Sequence, residues 1–280
     1  MRLDVIRTAL AIGGGTGALI TLLYAVRRQL LAEQIAEDNK NDATEKRITE
    51  LYSKGIEQLG TPNPTVRLGG LYALERLAED SPRLRETVLD VVCAYLRSAE
   101  IADDDIVRSA AQSVLLDHLA FKSRFNYHKT YWRIAMITLD GAVLDRFGFE
   151  AGKVDTAHFA RCVFKGNTLF LEACIRGADF VGARFEGPVS FAGSKLEKAI
   201  FVEAQFQAYV DFGSVYFGQG VDFSKATFVL PPSFVGAHVR ANAVSEAVLP
   251  TGWRVSDPVK SEHGKADEDA ASWCLIEKVT

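Results

Sequence analysis

The sequence has few of the residues that mark an enzyme, a metalloprotein or a disulfide-stabilised domain. Its 280 residues include four cysteines and five histidines. No two cysteines form a CxxC pair and all four are far apart, which is typical of free thiols in a reducing compartment and excludes a disulfide framework. No Ser-His-Asp, Cys-His or paired-carboxylate arrangement stands out. We therefore predict a protein that is not an enzyme, has no cofactor and acts on no small-molecule substrate.

A strong net charge is missing as well. The 32 Lys and Arg residues nearly balance the 36 Asp and Glu residues, which gives a formal net charge of −4 at pH 7. Whole-surface attraction to nucleic acid needs a basic excess, so direct nucleic-acid binding is not expected. The length predicts about two domains, and a hydrophobic content of 48% is enough for a sizeable core.

Charge is also absent from residues 8–26 (TALAIGGGTGALITLLYAV). A helix of about 20 apolar residues spans the hydrocarbon core of a bilayer, and glycine is common in such spans. Lysines and arginines are more numerous after this stretch than before it. The positive-inside rule then predicts a membrane anchor at 1–28, a single pass through the cell membrane at 8–26, and a C-terminal body in the cytoplasm.

Three other interpretations of this stretch stay open. A cleaved signal peptide is one, although no small-x-small cleavage site follows the apolar run. A phosphate-binding loop at Gly13-x-Gly15-x-x-Ala18 is the second, and it would need a preceding strand. The third is a buried helix of a soluble domain.

Helical periodicity dominates the region that follows. Residues 29–47 are highly charged and predict a helical stem. Residues 48–122 show four amphipathic segments with apolar residues at i, i+3, i+4 and i+7, and Thr44, Thr65 and Ser81-Pro82 are candidate starts for the first three. They predict a small α-helical domain, either a bundle or a HEAT/armadillo-like stack, between which the spacing alone does not decide.

Two features near the end of this domain are candidate sites. His118 is a lone histidine on the apolar face of the fourth segment, and such a residue more often has a structural role than a functional one. Residues 121–133 (FKSRFNYHKTYWR) interleave basic and aromatic side chains, which can stack on and neutralise single-stranded nucleic acid. The same composition also caps the open end of a solenoid, and we predict a connector or cap at 123–138.

A five-residue period organises residues 139–249. Large residues recur every five positions with an occasional step of six, and a small residue stands two positions before most of them. Neither a strand nor a helix has this period, and a period that persists over a hundred residues predicts a solenoid. The large residues from 180 onward are Phe180, Phe185, Phe191, Leu196, Phe201, Phe206, Phe212, Phe217, Phe223, Phe228 and Phe234.

Four five-residue segments would make one square coil, with the large and the small residues both pointing inward and phenylalanine rings stacking coil on coil. About 22 segments give roughly five and a half coils, about 26 Å long at a strand spacing of about 4.8 Å. Each step of six predicts a bulged corner. Between Phe164 and Ile175 the register shifts, so that Leu169 or Phe170 takes the inward place. Trp253 is expected to cover the last coil.

The motif A-x-F-x-G, seen at 178–182 (ADFVG) with a variant at 226–228 (ATF), resembles that of the pentapeptide repeat proteins. The resemblance covers 139–255 and implies a right-handed quadrilateral β-helix. Residues 45–52, 66–78 and 93–97 resemble the leader of many actinobacterial members, most of which lack an assigned activity. The predicted fold class is thus α+β multi-domain, with an N-terminal transmembrane helix, a small α-helical domain at 48–122 and a C-terminal β-helix.

The C-terminal tail is predicted at 256–280. Residues 256–270 (SDPVKSEHGKADEDA) are polar and charged, which indicates disorder. Residues 272–276 (SWCLI) are apolar and are candidates to dock back on the body or to bind a partner.

These features favour a non-enzymatic, membrane-tethered interaction or scaffold protein that binds an unidentified protein partner. The alternative, which the resemblance implies, is a DNA mimic that protects type II topoisomerases. Twelve acidic and ten basic residues between 140 and 250 leave an excess of two negative charges, which is small for a DNA mimic. A zinc site at His158, Cys162 and Cys174 is a weaker alternative, because Cys162 takes an inward position and the set does not close a tetrahedral site.

Overall fold

The computed structural model describes residues 2–98, 105–121, 130–256 and 273–279, with side chains from Val26 onward. The chain divides into two compact units, residues 1–54 and 55–280. The first unit belongs to a single helix, α1 (Arg2–Leu59). The second contains the end of α1, three further α-helices and a solenoid of short strands.

The membrane span predicted for residues 8–26 is wrong. Over the described part of the chain, no helix combines the length and the apolar character that a membrane crossing requires. The prediction counted residues without charge, whereas residues 13–17 (GGGTG) in the middle of the stretch contribute little apolar surface. The single-pass cell-membrane location rested on that span and is wrong with it.

Helix α1 continues without a break through the segments that the sequence divided. Thr44 does not begin a helix, because it lies inside α1 and its hydroxyl donates to the Lys40 carbonyl at 2.9 Å. Residues 13–18 are helical too, so the phosphate-binding loop lacks the strand and turn that it needs. From Val26 to Arg47 the side chains are all exposed.

The helical domain of the second unit is a small bundle. Helices α2 (Pro64–Asp80), α3 (Arg85–Arg97) and α4 (Asp105–Leu119) each pack on the other two through their apolar faces, with a 3-10 turn at Pro82–Leu84. Asn63, rather than the predicted Thr65, caps α2, because its Oδ1 accepts the Thr65 amide at 3.0 Å. Asn63 precedes Pro64, which suits the first helical position.

Seventeen strands follow in the described residues and build the solenoid and its end. Their bounds are β1 Met136–Thr138, β2 Val143–Asp145, β3 Lys153–His158, β4 Val163–Lys165, β5 Thr168–Leu169, β6 Cys174–Asp179, β7 Arg184–Phe185, β8 Val189–Ser190, β9 Lys195–Ile200, β10 Gln205–Phe206, β11 Val210–Asp211, β12 Tyr216–Asp222, β13 Thr227–Phe228, β14 His238–Arg240, β15 Ala247–Val248, β16 Trp253–Val255 and β17 Trp273–Lys278. A second 3-10 segment covers Ala241–Glu246.

The solenoid has four faces, and each face is a stack of parallel strands from successive coils. One sheet contains β2, β4, β7, β10 and β13, a second contains β5, β8 and β11, and the long strands β3, β6, β9 and β12 turn a corner and serve two faces. The central inward residues define the faces. They are Leu139, Phe159, Phe180, Phe201 and Phe223 on face I; Leu144, Phe164, Phe185, Phe206 and Phe228 on face II; Phe149, Phe170, Phe191, Phe212 and Phe234 on face III; and Val154, Ile175, Leu196, Phe217 and Val239 on face IV.

Phenylalanine rings stack along three of these columns. From Phe159, Phe164 and Phe170 onward, successive rings on faces I, II and III lie 4.7 to 5.1 Å apart, with planes within 11° of parallel. In the first coil the Phe149 ring is tilted by 54° from Phe170, with centroids 6.0 Å apart. This spacing equals the distance of about 4.8 Å between neighbouring strands, so parallel strands bring identical rings into contact. Four of the five residues in the face IV column are aliphatic, and the fifth is Phe217. Phe170, not Leu169, takes the inward place at the register shift.

Two of the four corners are hydrogen-bonded turns. After face I, the amide of the small inward residue donates to the carbonyl of the large one three positions earlier, as Ala183 does to Phe180 at 3.0 Å. The residue before the small one then has a positive φ, which is +64° at Gly182. Glycine adopts this conformation freely, which explains the last position of the A-x-F-x-G motif, although Glu203 adopts it as well.

The six-residue steps fall mostly at one corner. Between faces II and III, the large inward residues are six positions apart in four successive coils, beginning with Phe164 and Phe170. The extra residue therefore lies at the same corner in each of these coils. The step from Phe217 to Phe223 lies between faces IV and I, where β12 has a register shift between Phe217 and Gly220.

Helix α4 covers the N-terminal end of the solenoid. The Gln112 amide donates through Nε2 to the Asp145 carbonyl at 3.0 Å, and its Oε1 accepts the Asp145 N–H at 3.1 Å. Arg108 donates through Nη1 to the Val143 carbonyl at 2.6 Å. These side chains form hydrogen bonds with the backbone N–H and C=O groups at the free edge of β2, as a neighbouring strand would.

The chain's own end covers the last coil. Strand β17 pairs antiparallel with both β14 and β16, and the Trp253 ring lies 5.0 Å from Phe234, as predicted. Residues 273–278, within the predicted flexible tail at 256–280, are therefore a strand, because their alternating apolar side chains complete the edge of the sheet. The disordered segment predicted at 256–270 lies outside the described residues except for Ser256.

We expect the ring columns to dominate the stability of the solenoid. Phe191→Ala opens a cavity between Phe170 and Phe212 and should lower the free energy of unfolding by about 3–5 kcal/mol. Phe228→Ala is the matched control, because this ring is half-buried at the end of its column and should lower the free energy less. Denaturant unfolding of the full chain, followed by circular dichroism, measures both; equal losses would contradict the stacking argument.

Gln112 should contribute much of the stability of the contact between α4 and the solenoid. Gln112→Ala leaves the Asp145 N–H and C=O without their partner, and should cost about 1–3 kcal/mol. Gln205→Ala, on the exposed side of β10, should change the free energy by less than about 0.5 kcal/mol. Hydrogen exchange reports the site directly: unchanged protection of the Asp145 amide in Gln112→Ala would show that the bond is not needed.

Candidate interaction surface

The outward side chains of the solenoid lie in columns, because register between coils is fixed by the inward ones. One column on face IV consists of residues paired strand to strand. Its members are Lys153, Cys174, Lys195, Tyr216 and His238. The sequence predicted outward polar positions but did not predict which of them share a face.

Charge is segregated between the faces. The acidic residues of face III are Glu150, Glu172 and Asp211, and its outward and corner positions (148–151, 169–172, 190–193, 211–214 and 233–236) include no Lys or Arg. Face IV has the opposite sign, with five basic residues against two acidic ones. Its basic residues are Lys153, Arg176, Lys195, Lys198 and Arg240, and its acidic residues are Asp155 and Glu197. The small excess of negative charge in the sum thus conceals two faces of opposite sign.

Face IV also carries aromatic side chains at its C-terminal end. The Tyr216 ring stacks on His238 with centroids 5.1 Å apart and lies edge-to-face with Trp273 of β17 at 5.4 Å. The Arg240 guanidinium lies 5.3 Å from the Trp273 centroid. We call face IV together with Trp273 the basic face.

A cleft of about 850 Å³ opens at the N-terminal end of the basic face. The connector contributes Tyr131 and Arg133 to its wall, opposite the exposed Cys174. Burial raises the pKa of the Tyr131 hydroxyl, so the tyrosine stays neutral. Across the cleft the Lys153 ammonium lies over the Phe121 ring at 4.4 Å. Residues 122–129, which hold much of the predicted basic and aromatic connector, lie outside the described residues.

The three candidate zinc ligands are not brought together. His158 points outward from face I towards Asp179, at 3.9 Å, whereas Cys174 is exposed on face IV. Cys162 is buried in an inward position, and its thiol donates to the Leu139 carbonyl at 2.9 Å. Burial raises the pKa of this thiol to about 12, which disfavours the thiolate that zinc binds. Within the described ranges, no group of three potential ligands meets.

His118 has a structural position. Its side chain is 1% exposed and stacks on Trp132 with ring centroids 3.6 Å apart. Nδ1 lies 2.8 Å from the Thr130 carbonyl and Nε2 lies 2.9 Å from Glu75 Oε1. Each ring nitrogen therefore lies within hydrogen-bond distance of an acceptor oxygen. His118 thereby ties α2 and α4 to the chain that enters the solenoid.

The sequence could have revealed the basic face, but the five-residue period hid it. Tyr216 and His238 were not candidate residues, and Trp273 was a candidate only as part of residues 272–276, with no link to face IV. Alignment of whole coils of 20 to 22 residues, rather than of five-residue segments, would place Lys195, Tyr216 and His238 in one column. Trp273 needs the tertiary structure, because it comes from β17.

The thiols test this arrangement. Cys174 is exposed and the other three cysteines are buried, so a thiol reagent at about pH 8 should modify one cysteine in the folded chain and four after denaturation. Raising the pH to about 9 should not speed the reaction of Cys93 or Cys162, because burial raises the pKa of both thiols to about 12. Cys174→Ser should abolish the fast reaction; a second fast thiol would contradict the fold.

Comparison with known proteins agrees with the solenoid. Residues 154–195 and 172–215 match the family model described as Pentapeptide repeats (9 copies). No curated protein and no solved structure matches the chain. The matched residues fall within the coils whose ring columns are the most regular, and the coils on both sides continue the same four faces. Residues 154–215 of this chain therefore match pentapeptide repeats, and they lie within a C-terminal β-solenoid that a helical region precedes.

Proposed function

We propose that this chain is a protein-interaction scaffold whose basic face receives a protein partner. The observation that carries the proposal is the sorting of outward residues by face. Face IV has an excess of basic residues together with aromatic side chains, and the charged residues of face III are all acidic. A solenoid whose core is filled by phenylalanine columns can offer its outer surface for function. Aromatic and arginine side chains are also the ones enriched at protein interfaces.

The fold supports a binding role better than a catalytic one. A pentapeptide-repeat solenoid is typically a structural or interaction element. Aligned, paired strands give its faces fixed spacing, so a partner meets preorganised side chains and less ordering entropy is lost on binding. The helical bundle and β17 cover the two ends, which leaves the faces as the repetitive surface for a partner.

The DNA-mimic alternative gains little from this charge distribution. A mimic of duplex DNA needs dense negative charge, because DNA carries one charge per about 1.7 Å of its axis. Face III offers three acidic residues over five coils, and face IV is basic. A gyrase supercoiling assay with the full chain separates the two functions: protection of supercoiling from an inhibitor would favour the mimic.

Site-specific photocrosslinking tests the scaffold proposal. A benzophenone amino acid at Tyr216, on the basic face, should yield a discrete crosslinked species in the native cell, because this side chain is 37% exposed. The same probe at Ser190, an outward position on face III, should yield much less. Crosslinks of equal yield and identity at both positions, or none at Tyr216, would contradict a partner on this face.

A further inference from the structure

The two lysines at the centre of the basic face are available for an external anion. Among the described residues, Arg176 pairs with Asp155 at 2.5 Å, whereas neither Lys195 nor Lys198 has an ion-pair partner. Both lysines are exposed. Lys153 and Arg240 lie over aromatic rings on either side of them along the coil axis.

We propose that the basic face binds an extended acidic segment of a protein, with its carboxylates on Lys195 and Lys198. This inference rests on the proposed function and adds the chemistry of the partner. From Lys153 on β3 to Arg240 on β14, the basic face crosses four strand spacings, which is about 19 Å. An extended chain covers this length with about six residues at about 3.3 Å each. A short acidic motif is therefore sufficient.

The geometry favours an acidic peptide over nucleic acid. Bases bind proteins by stacking on free aromatic ring faces, but one face of Tyr216 is covered by His238 and its neighbour Trp273 meets it edge-on. The chain has a net charge of −4, and face III is acidic. A long polyanion would extend beyond the basic face and be repelled by the negative charge of the rest of the chain. A segment of about six residues contacts the basic face alone.

Binding of a fluorescein-labelled octaglutamate peptide to the full chain, followed by fluorescence anisotropy, tests this inference. We expect binding at low salt that weakens as sodium chloride rises from about 50 to about 200 mM. Lys195→Glu with Lys198→Glu should weaken the peptide affinity about tenfold or more, because two attractions become repulsions. Unchanged thermal unfolding of the double variant establishes that it is folded.

Lys165→Glu is the matched control. Lys165 is exposed on face II, so the same charge reversal there should leave the affinity within about twofold. A ten-nucleotide oligothymidine and phosphatidylserine vesicles serve as competing anions. Tighter, Lys195- and Lys198-dependent binding of either one would overturn the inference, as would a peptide that does not bind or that Lys165→Glu weakens equally.

The outcome is distinguishable from that of the scaffold proposal. If a partner crosslinks to position 216 but Lys195→Glu with Lys198→Glu leaves that crosslink intact, the scaffold function stands and the acidic-segment inference is wrong. If neither Tyr216 crosslinking nor peptide binding occurs, both are wrong.

Discussion

Stacking of identical phenylalanine rings from coil to coil is the interaction on which this structure depends. Parallel strands lie at the distance that brings one ring face onto the next, so each ring buries its area against copies of itself. A one-residue slip of any coil would turn its inward residues outward. The register is consequently fixed over five coils, and the small residue that closes each turned corner, such as Ala183, follows from the space that the rings leave.

The same regularity creates two open ends, and the chain closes each by a different means. At the start, Gln112 and Arg108 of α4 satisfy the free edge of the first coil with side chains. At the finish, β17 pairs with the edge of β14 and Trp253 packs on the last ring of its column. Parallel coils expose unpaired backbone and apolar area at their ends, so caps of this kind are a condition of the solenoid rather than an addition to it.

Fixed register inside also means fixed columns outside. Inward positions are constrained by packing, but outward positions are free to vary, and in this chain they have been sorted by charge. Face III carries acids and face IV carries bases with aromatic residues. The small net charge of the solenoid is therefore a poor guide to what it binds, because a partner contacts one face at a time. What a face can bind depends on which residue types are aligned in its outward columns. These columns become visible only when whole coils, and not single five-residue repeats, are compared.

The sequence by itself determined the repeat, the solenoid and the four helical segments, because a five-residue period and amphipathic spacing are local signals. It misplaced the starts of two helices at Thr44 and Thr65, where neighbouring residues decide which side chain caps. The absence of charge at 8–26 also led to a wrong prediction of a membrane span. A stretch without charged residues can still have little apolar surface when it is rich in glycine. Only the tertiary structure decided that Phe170 points inward, that β17 returns to β14, and that Lys195, Tyr216 and Trp273 share one face. These depend on contacts between residues separated by one or more coils, and no local pattern specifies them.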